Sequence, residues 1–164
     1  MKQLKDIKTI CNLGCGTMGF GTAIAFAQNG YNVNMYGRKD ASIERATKNI
    51  NFTLNVMVEN NLLTEVGAKE VLSRIHGVTT LKDAAHNADF VIESVAEELS
   101  IKQSVYKEME EYLGEDVIFA TDSSGLSPTA VAAALKHPER FVVAHFWNPP
   151  NLIPLVEVVP GEKT

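Results

Sequence analysis

The sequence lacks any excess of positive charge: 15 Lys and Arg stand against 20 Asp and Glu, a net charge of −5. No basic run interrupts that balance, so a nucleic-acid partner is excluded, because gripping a phosphate backbone takes clustered cations. Long apolar stretches are missing too. None approaches the roughly 18 residues that cross a bilayer, and Met1-Lys2-Gln3 leads into charged residues rather than a signal-peptide core. The expectation is a cytoplasmic protein with no membrane partner. Cysteine is scarce, Cys11 and Cys15 alone, and neither has a further Cys or His at metal-ligand spacing, so both are read as free thiols and no metal is expected. Repeats and low-complexity segments are absent as well. With 45% hydrophobic and 21% charged residues over 164 positions, the chain has the make-up of one globular domain, spanning 1–164.

What is present is an alternation of short apolar runs with helical patterns. Residues 8–13 (K-T-I-C-N-L) read as a strand that stops at glycine. A helix follows from Met18, with Ala23, Ile24, Phe26 and Ala27 on its apolar face and Asn29-Gly30 as its stop. Residues 31–36 read as the second strand. Ile43, Ala46, Ile50, Leu54 and Met57 then recur at helical spacing, and a shorter helix is expected over 64–72. Strands are expected over 75–79, 89–93, 117–120 and 141–144, with a helix over 101–113 and a Ser127-Pro128 helix start. Strands separated by helices need crossover connections. The fold class is therefore α/β, a doubly wound, mostly parallel sheet of the Rossmann kind with a helical excursion after the second strand.

Gly14-Cys15-Gly16-Thr17-Met18-Gly19 fits G-x-G-x-x-G between a strand and a helix. In that setting the first glycine permits the turn, the second lets a pyrophosphate approach the backbone, and the third packs helix against strand. The helix N-terminus then offers free N–H groups to the phosphates of NAD or NADP. About 20 residues on, an acid normally binds the ribose hydroxyls of NAD. Gly37-Arg38-Lys39 stands there instead. Removing the acid and adding cations suits the 2′-phosphate of NADP, whereas Asp40 reaching the ribose would suit NAD, and both readings stay open. His145, in H-F-W-N-P-P, sits at the carboxyl end of a strand with Glu157 twelve residues on. Such an edge is where open α/β sheets bind ligands, and alcohol oxidation needs a base for the hydroxyl proton.

These motifs resemble the N-terminal domain of the L-3-hydroxyacyl-CoA dehydrogenase family. The likeness runs from the strand before Gly14 to Val159, and its most specific element is H-F-W-N-P-P followed by L-V-E-V-V. The resemblance implies that His145 is the catalytic base and Glu157 its orienting carboxylate. It implies further that Ser124, in T-D-S-S-G-L, binds the substrate oxygen beside Asn148, and that Glu97 and Lys102 face the nicotinamide side of the cofactor. Gly37 replaces the family's usual acid, Asp122 a common asparagine and Gly125 a common second serine. The resemblance also implies a mainly helical C-terminal domain beyond this chain, which completes the acyl-CoA site and makes a homodimer. The N-P-P-x-x-I-P-L-V-E-V-V-P segment is similar to enzymes of free hydroxy acids, gulonate and carnitine dehydrogenases among them. The alternatives are thus a free hydroxy-acid dehydrogenase, or a dinucleotide-binding module without catalysis.

Overall fold

The computed structural model describes residues 3–164. Seven strands form one sheet in the order β3-β2-β1-β4-β5-β6-β7. They are β1 (Thr9–Leu13), β2 (Asn32–Tyr36), β3 (Ile75–Val78), β4 (Phe90–Glu93), β5 (Ile118–Thr121), β6 (Phe141–Phe146) and β7 (Val156–Pro160). The first six are parallel and β7 runs antiparallel to β6. The helices are α1 (Thr17–Gln28), α2 (Asp40–Glu59), α3 (Glu65–Ser73), α4 (Leu81–Ala84), α5 (Leu99–Met109) and α6 (Pro128–Ala132).

Successive side chains of a strand point to opposite faces, and the two faces carry separate cores. Ile10, Val33, Met35, Ile92, Ala120 and Ala144 pack with Ala23, Ile24 and Ala27 of α1, Ala46, Ile50 and Leu54 of α2, and Val71 of α3. Cys11, Leu13, Val91, Phe119 and Phe141 pack on the other side with α4, Tyr106 and Met109 of α5, and Val131 and Ala132 of α6. The apolar stripe of α2 is Ala46, Ile50, Leu54 and Met57, as its spacing requires. Thr64, Thr80 and Ser127 cap α3, α4 and α6, each accepting a hydrogen bond from the main-chain N–H three residues on.

Three elements differ from the sequence reading. Strand β7 was not foreseen as part of the sheet, and α4 was not foreseen at all. Helix α5 stops at Met109 instead of running to Leu113. Its last turn tightens into bonds from Glu111 N to Glu108 O and from Tyr112 N to Met109 O, both 3.1 Å. The Glu110 carboxylate meanwhile accepts from the main-chain N–H groups of Lys136 and His137 and from Arg140.

Candidate active site

The strand order reverses between β1 and β4, and two adjoining clefts open at the carboxyl edge there, where such sheets bind ligands. The first, about 300 Å³, is lined by Gly14, Cys15, Gly16, Tyr36, Gly37, Arg38, Ser42, Arg45 and the segment after β4. The second, about 410 Å³, is lined by Met18, Ser94, Glu97, Lys102, Asp122, Ser124, His145, Trp147 and Asn148.

The glycine turn fits a dinucleotide position by position. Gly14 has φ +113°, and a Cβ there would lie 2.5 Å from the carbonyl oxygen of Ser94. A Cβ on Gly19 would lie 2.2 Å from Gly14 O. Both glycines are required by packing. Gly16 is different: a Cβ there meets nothing within 4 Å, so close approach by a ligand is what a side chain would obstruct. Gly16 caps α1 without any side-chain bond, leaving the N–H groups of Thr17 and Met18 at a free helix N-terminus. Asn12, fully buried, staples the turn. Its Nδ2 donates to Gly14 O at 2.8 Å and Gly19 O at 3.0 Å, and its Oδ1 accepts from the Thr22 hydroxyl at 2.8 Å.

At the far end of the first cleft, Arg38 and Arg45 both line the wall with Ser42. Arg45 was missed by sequence reasoning, though it lies one helical turn beyond Ala41 on a helix whose start was recognised. Gly37 is packed against Cys15 and Ile43, whose side chains would lie 2.7 and 2.8 Å from an added Cβ. Burial raises the Cys15 thiol and the Arg45 charge opposes that rise. Asp40, at the first position of α2, is exposed and does not line this cleft.

His145, on the wall of the second cleft, has its Nδ1 2.8 Å from Glu157 Oε2, because the antiparallel register sets His145 opposite Glu157. The pairing rests on β7, which periodicity did not reveal. Ser124 and Asn148 are exposed on the same walls. Glu97 and Lys102 are there too, but Lys102 is 1% exposed and its Nζ contacts Glu93 Oε1 at 2.7 Å and Glu97 Oε2 at 3.1 Å. Glu93, wholly buried, also accepts from Val95 N at 2.6 Å and Thr121 Oγ1 at 2.8 Å. Burial pushes the Glu97 carboxyl up, yet hydrogen bonds from Ser123 and Lys102 and the Lys102 charge outweigh it and hold the group below its ordinary value. Asp122 was noted in the sequence only as a departure. Burial raises it to about 6, against the Phe146 N–H, the His145 charge and the Ser94 hydroxyl.

A doubly wound sheet with a glycine turn at its switch point defines a dinucleotide-binding domain of the Rossmann type. The chain belongs to the family described as 3-hydroxyacyl-CoA dehydrogenase, NAD binding domain, which matches residues 9–164. It is 38% identical over 159 residues to 5-formyl-3-hydroxy-2-methylpyridine 4-carboxylate 5-dehydrogenase of Mesorhizobium japonicum, covering 96% of this chain and 50% of that protein. It is 38% identical over 163 residues to the fatty acid oxidation complex subunit alpha of Psychrobacter cryohalolentis, covering 99% of this chain and 22% of that one. The crystal structure of (S)-3-hydroxybutyryl-CoA dehydrogenase from Ralstonia eutropha superposes with a TM-score of 0.92 at 35% identity, over 96% of this chain and 56% of the other. The chain thus spans half or less of the curated relatives it matches. Among the described residues no helix is long and apolar enough to cross a membrane.

Proposed function

We propose that the chain is the dinucleotide-binding part of an NAD(P)-dependent 3-hydroxyacyl-CoA dehydrogenase in which His145 is the general base. The observation that carries this reading is His145 on the wall of a cleft that adjoins the glycine turn, with its Nδ1 held against Glu157. With Nδ1–H donated to the carboxylate, Nε2 keeps the lone pair and takes the proton of the 3-hydroxyl as hydride leaves the same carbon. The nicotinamide, when bound, supplies the hydride acceptor. Ser124 and Asn148 hold the substrate oxygen, and Gly14, Gly16, Thr17, Met18 and Gly19 hold the pyrophosphate. Glu97 faces the nicotinamide side of the cofactor, and Lys102, buried between Glu93 and Glu97, holds Glu97 in place. The complete protein carries a helical second domain and is a homodimer.

Arg38 and Arg45 line the adenosine end without an acid, which favours NADP. A partly exposed Arg–phosphate bond contributes about 1.5–3 kcal/mol, so NADP is expected to bind roughly ten- to a hundredfold tighter than NAD. Titration of both cofactors tests this. Arg38→Gln with Arg45→Gln should remove the preference, and equal or tighter NAD binding by the wild type contradicts it. Gly37→Asp is a poorer probe, since Cys15 and Ile43 must move to admit the side chain.

A second reading keeps the same chemistry on a free acid. It is favoured by the Mesorhizobium relative, which is named for a pyridine carboxylate and not for a CoA ester. Turnover of acetoacetyl-CoA against small free hydroxy acids by the complete protein separates the two readings. A binding module without catalysis predicts no turnover of either.

A further inference from the structure

Asp122 stands where the ladder between β5 and β6 runs out. The last pair of that ladder is Thr121↔Val143, yet β6 continues through Ala144 and His145 to Phe146, held on its other side by β7. On the β5 side the main-chain N–H of Phe146 has no strand to pair with. It donates to Asp122 Oδ1 at 2.8 Å. The Ser94 hydroxyl, just past β4, reaches Asp122 Oδ2 at 3.4 Å. One carboxylate therefore joins the ends of three strands, and the residue it holds is the neighbour of His145.

The charges around it are otherwise matched. Glu93 of β4 and Glu97 beyond it both contact Lys102 of α5, and Glu157 of β7 contacts His145. Among the described residues no Lys, Arg or His nitrogen forms an ion pair with Asp122. The two basic side chains that share its cleft are Lys102, held between Glu93 and Glu97, and His145, whose Nδ1 is held by Glu157. We propose that Asp122 is a positioning residue of the cleft: it stands in for the missing strand at Phe146 and, as the unmatched anion beside His145, links its own ionisation to the charge of that ring. Asparagine would make the first contact and not the second. A protonated ring favours the Asp122 anion.

The consequence for turnover rests on His145 being the base, whereas the linkage itself does not, so the two are tested separately. In the 164-residue chain, the carboxyl carbon of Asp122 followed by NMR should titrate near 6 and move up by about half a unit or more in His145→Gln, as the cation is lost. In the complete enzyme, Asp122→Asn, which keeps an acceptor for the Phe146 N–H, should keep dinucleotide affinity within about twofold and retain turnover. Asp122→Ala, which loses the Phe146 contact as well, should lose turnover at every pH. An Asp122 titration unchanged by His145→Gln overturns the proposal, as does an Asp122→Ala protein that turns over as well as Asp122→Asn. If the NMR linkage holds and the wild type turns over no hydroxyacyl substrate, the enzymatic reading fails and the linkage stands.

Discussion

Asp122 carries its charge in a half-buried place, so its ionisation works against folding. Its folded value of about 6 lies above the ordinary 3.8, so between those values the folded state binds the extra proton. The stabilising contribution is fully present below about 4 and is lost as pH rises through about 6. Asp122→Asn should therefore be more stable than wild type at pH 7.5, by about 1 kcal/mol once solvent screening of a half-buried carboxyl is allowed for, with the difference fading below pH 4. Urea unfolding at both pH values measures this, and a difference independent of pH would assign it to packing. Lys102 presents the opposite case. Replacing it by Met leaves Glu93, fully buried, without its cation, and should cost about 3–5 kcal/mol in the same assay. A loss under about 1 kcal/mol would show that Glu93 is content with its neutral donors. Both residues are in plain view in the sequence, as an acid after a strand and a lysine at helical spacing. Their burial is not, because it depends on which strands end side by side.

At the scale of elements, the glycine turn separates packing from binding. Gly19→Ala pushes a Cβ into the backbone of Gly14, whereas Gly16→Ala meets no protein atom. Gly19→Ala should thus lower the melting temperature by several degrees. Gly16→Ala should leave it unchanged and weaken dinucleotide binding by about tenfold or more, as the pyrophosphate is held off the backbone. Equal melting losses in both variants would remove Gly16 from the binding surface. The alternation of strands and helices was legible because Ile10 to Leu13 and Val91-Ile92 are buried on both faces of a parallel sheet and read as apolar runs, the first broken only at Asn12. Strand β7 was not legible. Its residues are exposed throughout, V-E-V-V-P lacks clean alternation, and its place in the sheet comes from pairing with β6. Helix α4 is only Leu81–Ala84, set by the Thr80 cap and too short for any period. Asn12 looked like one polar residue in a strand, and its network with Gly14, Gly19 and Thr22 exists only once α1 folds back on β1.

The whole molecule sets its two clefts side by side on one sheet edge, with the glycine turn in one and His145 on the wall of the other. Motif likeness singled out His145, Glu157, Ser124 and Asn148; His145, Ser124 and Asn148 line one cleft, and the antiparallel return of β7 sets Glu157 opposite His145. Trp147, which lines that cleft, is exposed, as are Leu152, Leu155 and Val158 around the return, and under the proposed function these apolar side chains are what a second domain would cover. The isolated 164-residue chain is accordingly expected to bind dinucleotide in a calorimetric titration and to reduce acetoacetyl-CoA poorly or not at all. Robust turnover by this chain alone would show that the cleft is sufficient without a second wall.

The central claim is that His145 moves the proton while a dinucleotide takes the hydride. Its most direct test is the rate of acetoacetyl-CoA reduction by the complete protein, wild type against His145→Gln, with cofactor affinity measured alongside. The account predicts a rate lower by about 10²–10⁴-fold, the range for losing a general acid–base group, and a cofactor Kd within about twofold. A His145→Gln protein that reduces the substrate at the wild-type rate would contradict it.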